Sequence, residues 1–258
     1  MKFENDSVNA DVINVFGVSI NRLSRAEALD CIDTAITSRS KLHIGVVNAA
    51  KMVNMGRDPM LKNDVLRSDM ILADGIAVVW AAQFLSKLSL PERVAGIDIM
   101  YGVFKRGNAN GYRVFLLGAT EDVSQEVARQ LSRDFPGVVL AGRRNGYFSD
   151  DEEEEIAHQI AASKADVLFV AITSPKKEKF MARWAGVMNV PVVHGVGGSF
   201  DVMAGKVERA PVIWQKLGLE WLYRVKQEPG RLWRRYLVTN SLFCVMVLKQ
   251  YLSDRRKS

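Results

Sequence analysis

Val190–Asp201 reads VPVVHGVGGSFD. Its first half is a short run of β-branched residues; its second half holds Gly195, Gly197, Gly198 and then Asp201. Apolar residues on consecutive rather than alternate positions are what a strand buried on both faces requires. Glycines at the exit of such a strand let backbone N–H groups approach an anion with no Cβ in the way. Asp201 follows within reach of a ribose or sugar hydroxyl. The stretch predicts the last strand of a parallel sheet, opening onto a loop that suits a phosphate.

The chain before it repeats the same pattern. Strands are expected at Val12–Ile20, Leu42–Val47, Asp69–Ala73, Tyr112–Leu117 and Ala165–Ile172. Between them lie helical patterns. Ser24 caps Arg25–Thr37, Asp58–Arg67 follows Lys51–Gly56, and Ile97–Arg106 precedes the amphipathic Glu121–Phe135. Ser149 caps Asp150–Ser163, and Pro175–Val187 leads into the last strand. Ile76–Leu88 is apolar nearly all round and predicts a buried helix. Strand–helix alternation with continuous apolar strands specifies an α/β fold, a Rossmann-like parallel sheet with helices on both faces. Residues 1–205 are expected to form that catalytic domain and 206–258 a helical, membrane-associating appendage.

Ligands of such sheets bind beyond the carboxyl ends of the strands. Asn48, Asp74, Gly118, Ser174, Gly195, Gly197 and Asp201 all fall there. Asp74, after Met70–Ala73 and before Gly75, reads as a general base whose pKa burial would raise. It reads equally as an N-cap of the following helix. Asn48 suits either a sugar hydroxyl or a helix start. Asp98, in Gly96-x-Asp98, suits a hydroxyl or the first turn of a helix, and Arg93 suits a diphosphate or the surface. Ser174-Pro175-Lys176-Lys177-Glu178 opens a helix where N–H groups and lysines favour phosphate. Tyr147, following Gly146, joins Gly118, Gly195, Gly197, Gly198 and Asp201 as a candidate nucleotide-binding residue. His43, His158 and His194 share no metal-ligand spacing, and no Asp-x-Asp stands at a strand end, so chemistry without a metal or other cofactor is expected. No G-x-G-x-x-G follows the first strand, which argues against a dehydrogenase.

Charge is divided unevenly over the 258 residues. The net charge is +6, yet Gly205–Ser258 holds 12 Lys/Arg against 4 Asp/Glu while the remainder holds 23 against 25. The positive charge therefore belongs to the tail, which calls for an anionic partner there alone. Trp214, Trp221, Tyr223, Trp233 and Tyr236 are interleaved with Arg224, Lys226, Arg231, Arg234 and Arg235. Leu237–Leu248 is mostly apolar and falls short of the ~20 residues that span a bilayer. Aromatic and basic residues together favour an anionic membrane surface over nucleic acid. Two cysteines, Cys31 and Cys244, argue against a disulfide framework, and the N-terminus lacks a signal-peptide pattern, so a cytoplasmic protein is expected. The oligomeric state is left open, a homo-oligomer included. A non-catalytic nucleotide-binding, membrane-docking module would use the same glycine loop and tail without needing Asp74.

With these residues assembled, the chain resembles the WecG/TagA/CpsF family, glycosyltransferase family 26, over nearly its whole length. The most specific part is GVGGSFDVMAGKVERAP…LGLEWLYR…EPGRLWRRY within Gly195–Tyr236. The resemblance implies an inverting, metal-independent transfer of a sugar from a UDP-sugar to a polyprenol-diphosphate-linked sugar, in cell-surface polysaccharide synthesis. It implies undecaprenyl diphosphate as the acceptor's carrier and a peripheral position on the cytoplasmic face of the plasma membrane. It makes Asp74 the base. It places Asn48, Gly75, Arg93, Gly96, Asp98, Lys177 and Glu178 on the substrate, and Arg224, Arg231 and Arg234 near the acceptor's diphosphate. The family's Thr-x-Asn reads Val46-Val47-Asn48 here, and its Pro-x-Gln-Glu reads Pro175-Lys176-Lys177-Glu178. These two departures bear on the donor sugar.

Overall fold

The computed structural model describes residues 11–256. Its centre is a six-stranded sheet, every adjacent pair parallel. Numbered along the chain, the strands are β3 (Leu42–Val47), β4 (Met70–Ala73), β5 (Arg113–Gly118), β6 (Val139–Arg144), β7 (Val167–Ala171) and β8 (Val192–Gly195). They stand in the order β4-β3-β8-β7-β5-β6. β4, β7 and β8 are buried at every residue, as their unbroken apolar runs require.

The expected first strand is instead a two-stranded antiparallel hairpin, β1 (Val12–Val15) and β2 (Val18–Asn21), outside the main sheet. Phe16 and Gly17 turn it, with φ of 54° and 76°. Two consecutive left-handed residues match the twist of a tight hairpin. The side chain of Asn21 ties it to the sheet by accepting from Ile71 N–H at 2.7 Å.

Helices cover both faces. On one face lie α1 (Arg25–Ser38), α5 (Gly96–Asn110) and α6 (Glu121–Asp134), sharing a core with the inward residues of β3, β5 and β7. On the other lie α2 (Ala49–Arg57), α3 (Pro59–Leu66), α4 (Ile76–Ser86), α7 (Glu153–Ala162) and α8 (Lys176–Met188), in two further clusters. Helix α4 is not buried all round. Val78, Ala81 and Ala82 face the core, whereas Trp80 and Phe84 are about half exposed.

After β8 come α9 (Ser199–Met203), α10 (Val212–Lys216), α11 (Glu220–Gln227) and α12 (Pro229–Arg255). Pro211 precedes α10, and Pro229 begins α12. The apolar run Leu237–Leu248 is the middle of this 27-residue helix, whose buried side is docked on the body. Phe243 packs edge-on against Phe16 at 5.6 Å, Tyr251 meets Phe84 at 4.8 Å, and Gln250 Oε1 accepts from Phe16 N–H at 3.1 Å. Among the described residues no helix is long and apolar enough to cross a membrane.

The turn between α10 and α11 seats on α4 through Gly218. Its φ is +72°, and a Cβ there would lie 2.6 Å from Ile76 Cγ2 and 2.9 Å from Trp80. Both the backbone and the space exclude a side chain. Gly218→Ala should therefore destabilise this docking by about 1–3 kcal/mol, seen as faster limited proteolysis within 206–228 while the sheet's thermal transition moves little.

Candidate active site

The strand order decides which of the candidate residues meet. β4, β3 and β8 are neighbours, so Asp74, Asn48 and the Gly195–Gly198 loop line up along one half of the rim. Gly118 and Tyr147 belong to the other half, after β5 and β6. At about 4.8 Å per strand spacing, β6 lies some 24 Å from β4. Asp74 and Tyr147 are not brought together. Tyr147 is 77% exposed, its N–H held by Asn145 Oδ1 at 3.0 Å, while the Gly118–Ala119 turn is bound to Ala171 O through Ala119 N–H at 3.0 Å.

Asp74 is fixed by its backbone. Its N–H donates to Val47 O at 2.9 Å, continuing the β3–β4 pairing one residue past the strand. The cap position of α4 is Gly75, with no side-chain cap bond, so the capping reading of Asp74 does not hold. Among the described residues no group hydrogen-bonds its carboxylate and no cation stands within 4.0 Å of it. Burial and the negative charge of Glu220 push its pKa up to about 6, against the pull of Arg93, Arg224 and Lys51. A carboxylate so poised is half-ionised near pH 6, mostly ionised at neutrality and able to take a proton.

Asn48 does serve as an N-cap, Oδ1 accepting from Lys51 N–H at 3.0 Å. It also packs against the Asp74–Gly75 turn, since a Cβ on Gly75 would lie 3.2 Å from Asn48 Cβ. Lys51, in the first turn of α2, was not singled out by the sequence. It reaches Glu178 of α8 at 2.7 Å, with both side chains at most one-tenth exposed. Burial opposes ionisation of Glu178, but Lys51 and Lys177 outweigh it and hold the pKa down at about 2. Lys177 is itself buried, 3.5 Å from the same carboxylate. Burial and Lys51 push its pKa down to about 8, with Glu178 and Asp74 resisting. His43 and His194 are pushed to about 4 by burial and remain neutral at physiological pH.

The glycine loop has a packing role beside any ligand role. A Cβ on Gly195 would lie 2.9 Å from both Cδ and Cε of Lys177, so glycine there makes room for the lysine. Gly197 has φ +54°, and Asp201 Oδ2 faces Gly198. Gly96 begins α5, buried against His194.

The appendage closes one side of this rim. Val94 N–H bonds Ala73 O at 2.9 Å, which places Arg93 beside the exit of β4. Arg93 then binds Glu220 of α11 at 2.5 Å and Gln215 of α10 at 3.1 Å. Asp98 pairs with Arg209 at 2.7 Å and stands 3.9 Å from Arg93. Arg224 stands 3.8 Å from Glu220. Arg234 is exposed on α12, and the side chain of Arg231 lies outside the described residues. Glu220 and Gln215 had gone unremarked in the sequence; the signal for Glu220 was an acidic residue at the head of a basic helix, next to its N-terminus.

A family model described as "Glycosyl transferase WecG/TagA/CpsF family" matches residues 13–257. The chain belongs to this family of glycosyltransferases. One relative is a protein of Bacillus spizizenii named N-acetylglucosaminyldiphosphoundecaprenol N-acetyl-beta-D-mannosaminyltransferase. It is 38% identical over 181 residues, covering 70% of this chain and 69% of that protein. The rim gathers the Asp74 carboxylate with the cations of Lys51, Lys177, Arg93 and Arg224.

Because Glu220 both raises the Asp74 pKa and neutralises Arg93, Glu220→Gln should lower that pKa below about 6. Carboxyl-carbon NMR of the wild type should show one carboxylate titrating near 6, absent in Asp74→Asn and moved to lower pH in Glu220→Gln.

Proposed function

We propose that this chain is an inverting glycosyltransferase that moves a hexose, N-acetylhexosamine or uronic acid from a UDP-sugar to a sugar carried on undecaprenyl diphosphate. Asp74 removes the proton of the acceptor hydroxyl, whose oxygen attacks the anomeric carbon as the C–O bond to UDP breaks. A single displacement of this kind inverts the anomeric configuration. The observation that carries the reading is a carboxylate at a parallel strand exit, without a bonded partner among the described residues and raised to about 6, surrounded by basic side chains. The relative's name, which specifies a mannosaminyl transfer to a diphosphoundecaprenol-linked sugar, supports the acceptor class. Preorganised cations supply the electrostatic stabilisation of the leaving diphosphate.

Within this reading Asn48, Gly75, Gly96 and Asp98 shape the sugar pocket. Gly195, Gly197, Gly198 and Asp201 take the nucleotide, and Arg224, Arg231 and Arg234 the acceptor's diphosphate. Tyr147 and Gly118 lie too far along the rim to touch the same sugar as Asp74, and serve only a nucleotide extended across the sheet. Asp74→Asn should lower kcat by about a thousandfold or more with little change in donor KM, measured as UDP release with an undecaprenyl-diphospho-N-acetylglucosamine acceptor. Near-normal turnover would remove the base from Asp74.

The appendage, residues 206–258, is the part that meets the lipid-borne substrate. Four of its aromatics pair off, Trp214 with Tyr223 and Trp221 with Tyr236. That leaves Trp233, Leu237, Leu248 and, on α10, Val212 and Ile213 exposed by about half or more. Lying flat on the cytoplasmic leaflet, this apolar side and its arginines suit an anionic headgroup layer. Trp233→Glu with Leu237→Glu should abolish flotation with phosphatidylglycerol vesicles while leaving the fold and the hydrolysis of soluble donor intact. Unchanged flotation would overturn the docking surface.

A further inference from the structure

In the pocket behind the glycine loop two buried lysines pair with the same carboxylate. Lys51 and Lys177 share a single carboxylate, Glu178, and the sharing is unequal: 2.7 Å for Lys51 against 3.5 Å for Lys177. Among the described residues Glu178 is the only ion-pair partner of Lys177. Yet the Lys177 side chain is just 6% exposed, its stem wedged against Gly195, and its Nζ lies 3.8 Å from the Cβ position of Gly197. A buried ammonium with three donors and one long contact is costly to keep unless another anion completes its shell.

We propose that Lys177 is a substrate-binding cation: its ammonium takes an anionic oxygen of the nucleotide-sugar donor at the Gly195–Gly197 loop. The oxygen comes either from the donor's diphosphate or from a carboxylate on a uronic sugar, and the chemistry at Nζ is the same for both. This rests on the glycosyltransferase reading above and adds which group of the donor is met at this point of the rim. Gly195 keeps the site in shape, since any side chain there would drive Lys177 from its seat. The groups around the ammonium come from each packed element. Lys51 stands on α2, Asp64 on α3, Glu178 on α8, His43 on β3, His194 on β8 and Asp74 after β4. Both histidines are neutral, so ionised Glu178, Asp74 and Lys51 set the charge that Lys177 feels.

Calorimetric binding of UDP, UDP-glucose and UDP-glucuronate to full-length wild type, Lys177→Gln and Lys177→Met tests this. The proposal expects at least a tenfold loss of affinity in both variants, the magnitude of one charge-assisted hydrogen bond. A loss common to all three ligands assigns the diphosphate; a loss confined to UDP-glucuronate assigns the sugar carboxylate. Wild-type protein provides a second readout should the variants fold poorly. Because the ammonium loses its proton near pH 8, affinity for the ligand it holds should fall as pH rises through about 8, a dependence a merely structural lysine would not produce. Folded variants that bind all three ligands like wild type, or a wild-type affinity flat across about pH 7 to 9, would overturn the proposal and leave Asp74 untouched. If wild-type protein binds none of the three, the glycosyltransferase donor reading fails together with this one.

Discussion

An ionisable carboxylate with no hydrogen-bonded partner among the described residues, at the edge of a close-packed sheet, is the constraint around which this molecule is arranged. Asp74 is held by the hydrogen bond of its own N–H to Val47 O, not by its side chain. Position thus comes from sheet pairing and reactivity from burial, and the two are independent. The fold supplies a rigid register, while the neighbourhood keeps strong donors at a distance. Had Asp74 capped α4, its lone pairs would have been committed to backbone N–H groups and its pKa lowered. Gly75 takes the cap position instead.

The cations are tethered by a different logic. Arg93 sits on Glu220 and Gln215, Arg209 on Asp98, and Lys51 on Glu178. Each of these three leans on an acidic or amide partner from another element. Such pairs gain modestly in energy, because desolvation offsets much of their attraction. Their greater effect is on geometry. Arg93–Glu220 joins the loop after α4 to α11, and Asp98–Arg209 joins α5 to the segment before α10. The appendage is thereby registered against the strand exits, which is how residues more than a hundred positions apart come to act on one carboxylate.

Much of this was legible in the sequence, and for physical reasons. Continuous apolar runs such as Val167–Ala171 and Val192–Gly195 are buried on both faces, so their composition carries the sheet directly. The strand exit at Asp74 was legible from Met70–Ala73, but the sequence left its side chain open between a base and a helix cap, and only the Gly75 cap position removes the second. Strand order was not legible: that β8 lies between β3 and β7 follows from pairing across 150 residues, which no local pattern encodes. The separation of Tyr147 from Asp74 is a consequence of that order. The hairpin at Phe16–Gly17 was missed because a left-handed phenylalanine is an uncommon choice for a turn. Helix α4 was misjudged because uniform apolarity hides which side faces the core. Trp80 and Phe84 serve instead as a platform for Gly218 and Tyr251.

Lys51 shows why polar clusters resist reading along the chain. Taken alone it is an ordinary lysine in the first turn of a helix, a position the helix dipole disfavours. Its partner, Glu178, is 127 residues away and equally ordinary in its own first turn. Only the adjacency of β3, β8 and β7 makes the two helix starts converge, and with them Lys177. A lysine at a helix N-terminus, buried and half-compensated, loses on every local criterion. Its persistence in the folded chain is intelligible when the energy it forfeits alone is recovered with an anionic ligand, as proposed for the donor at the Gly195–Gly197 loop.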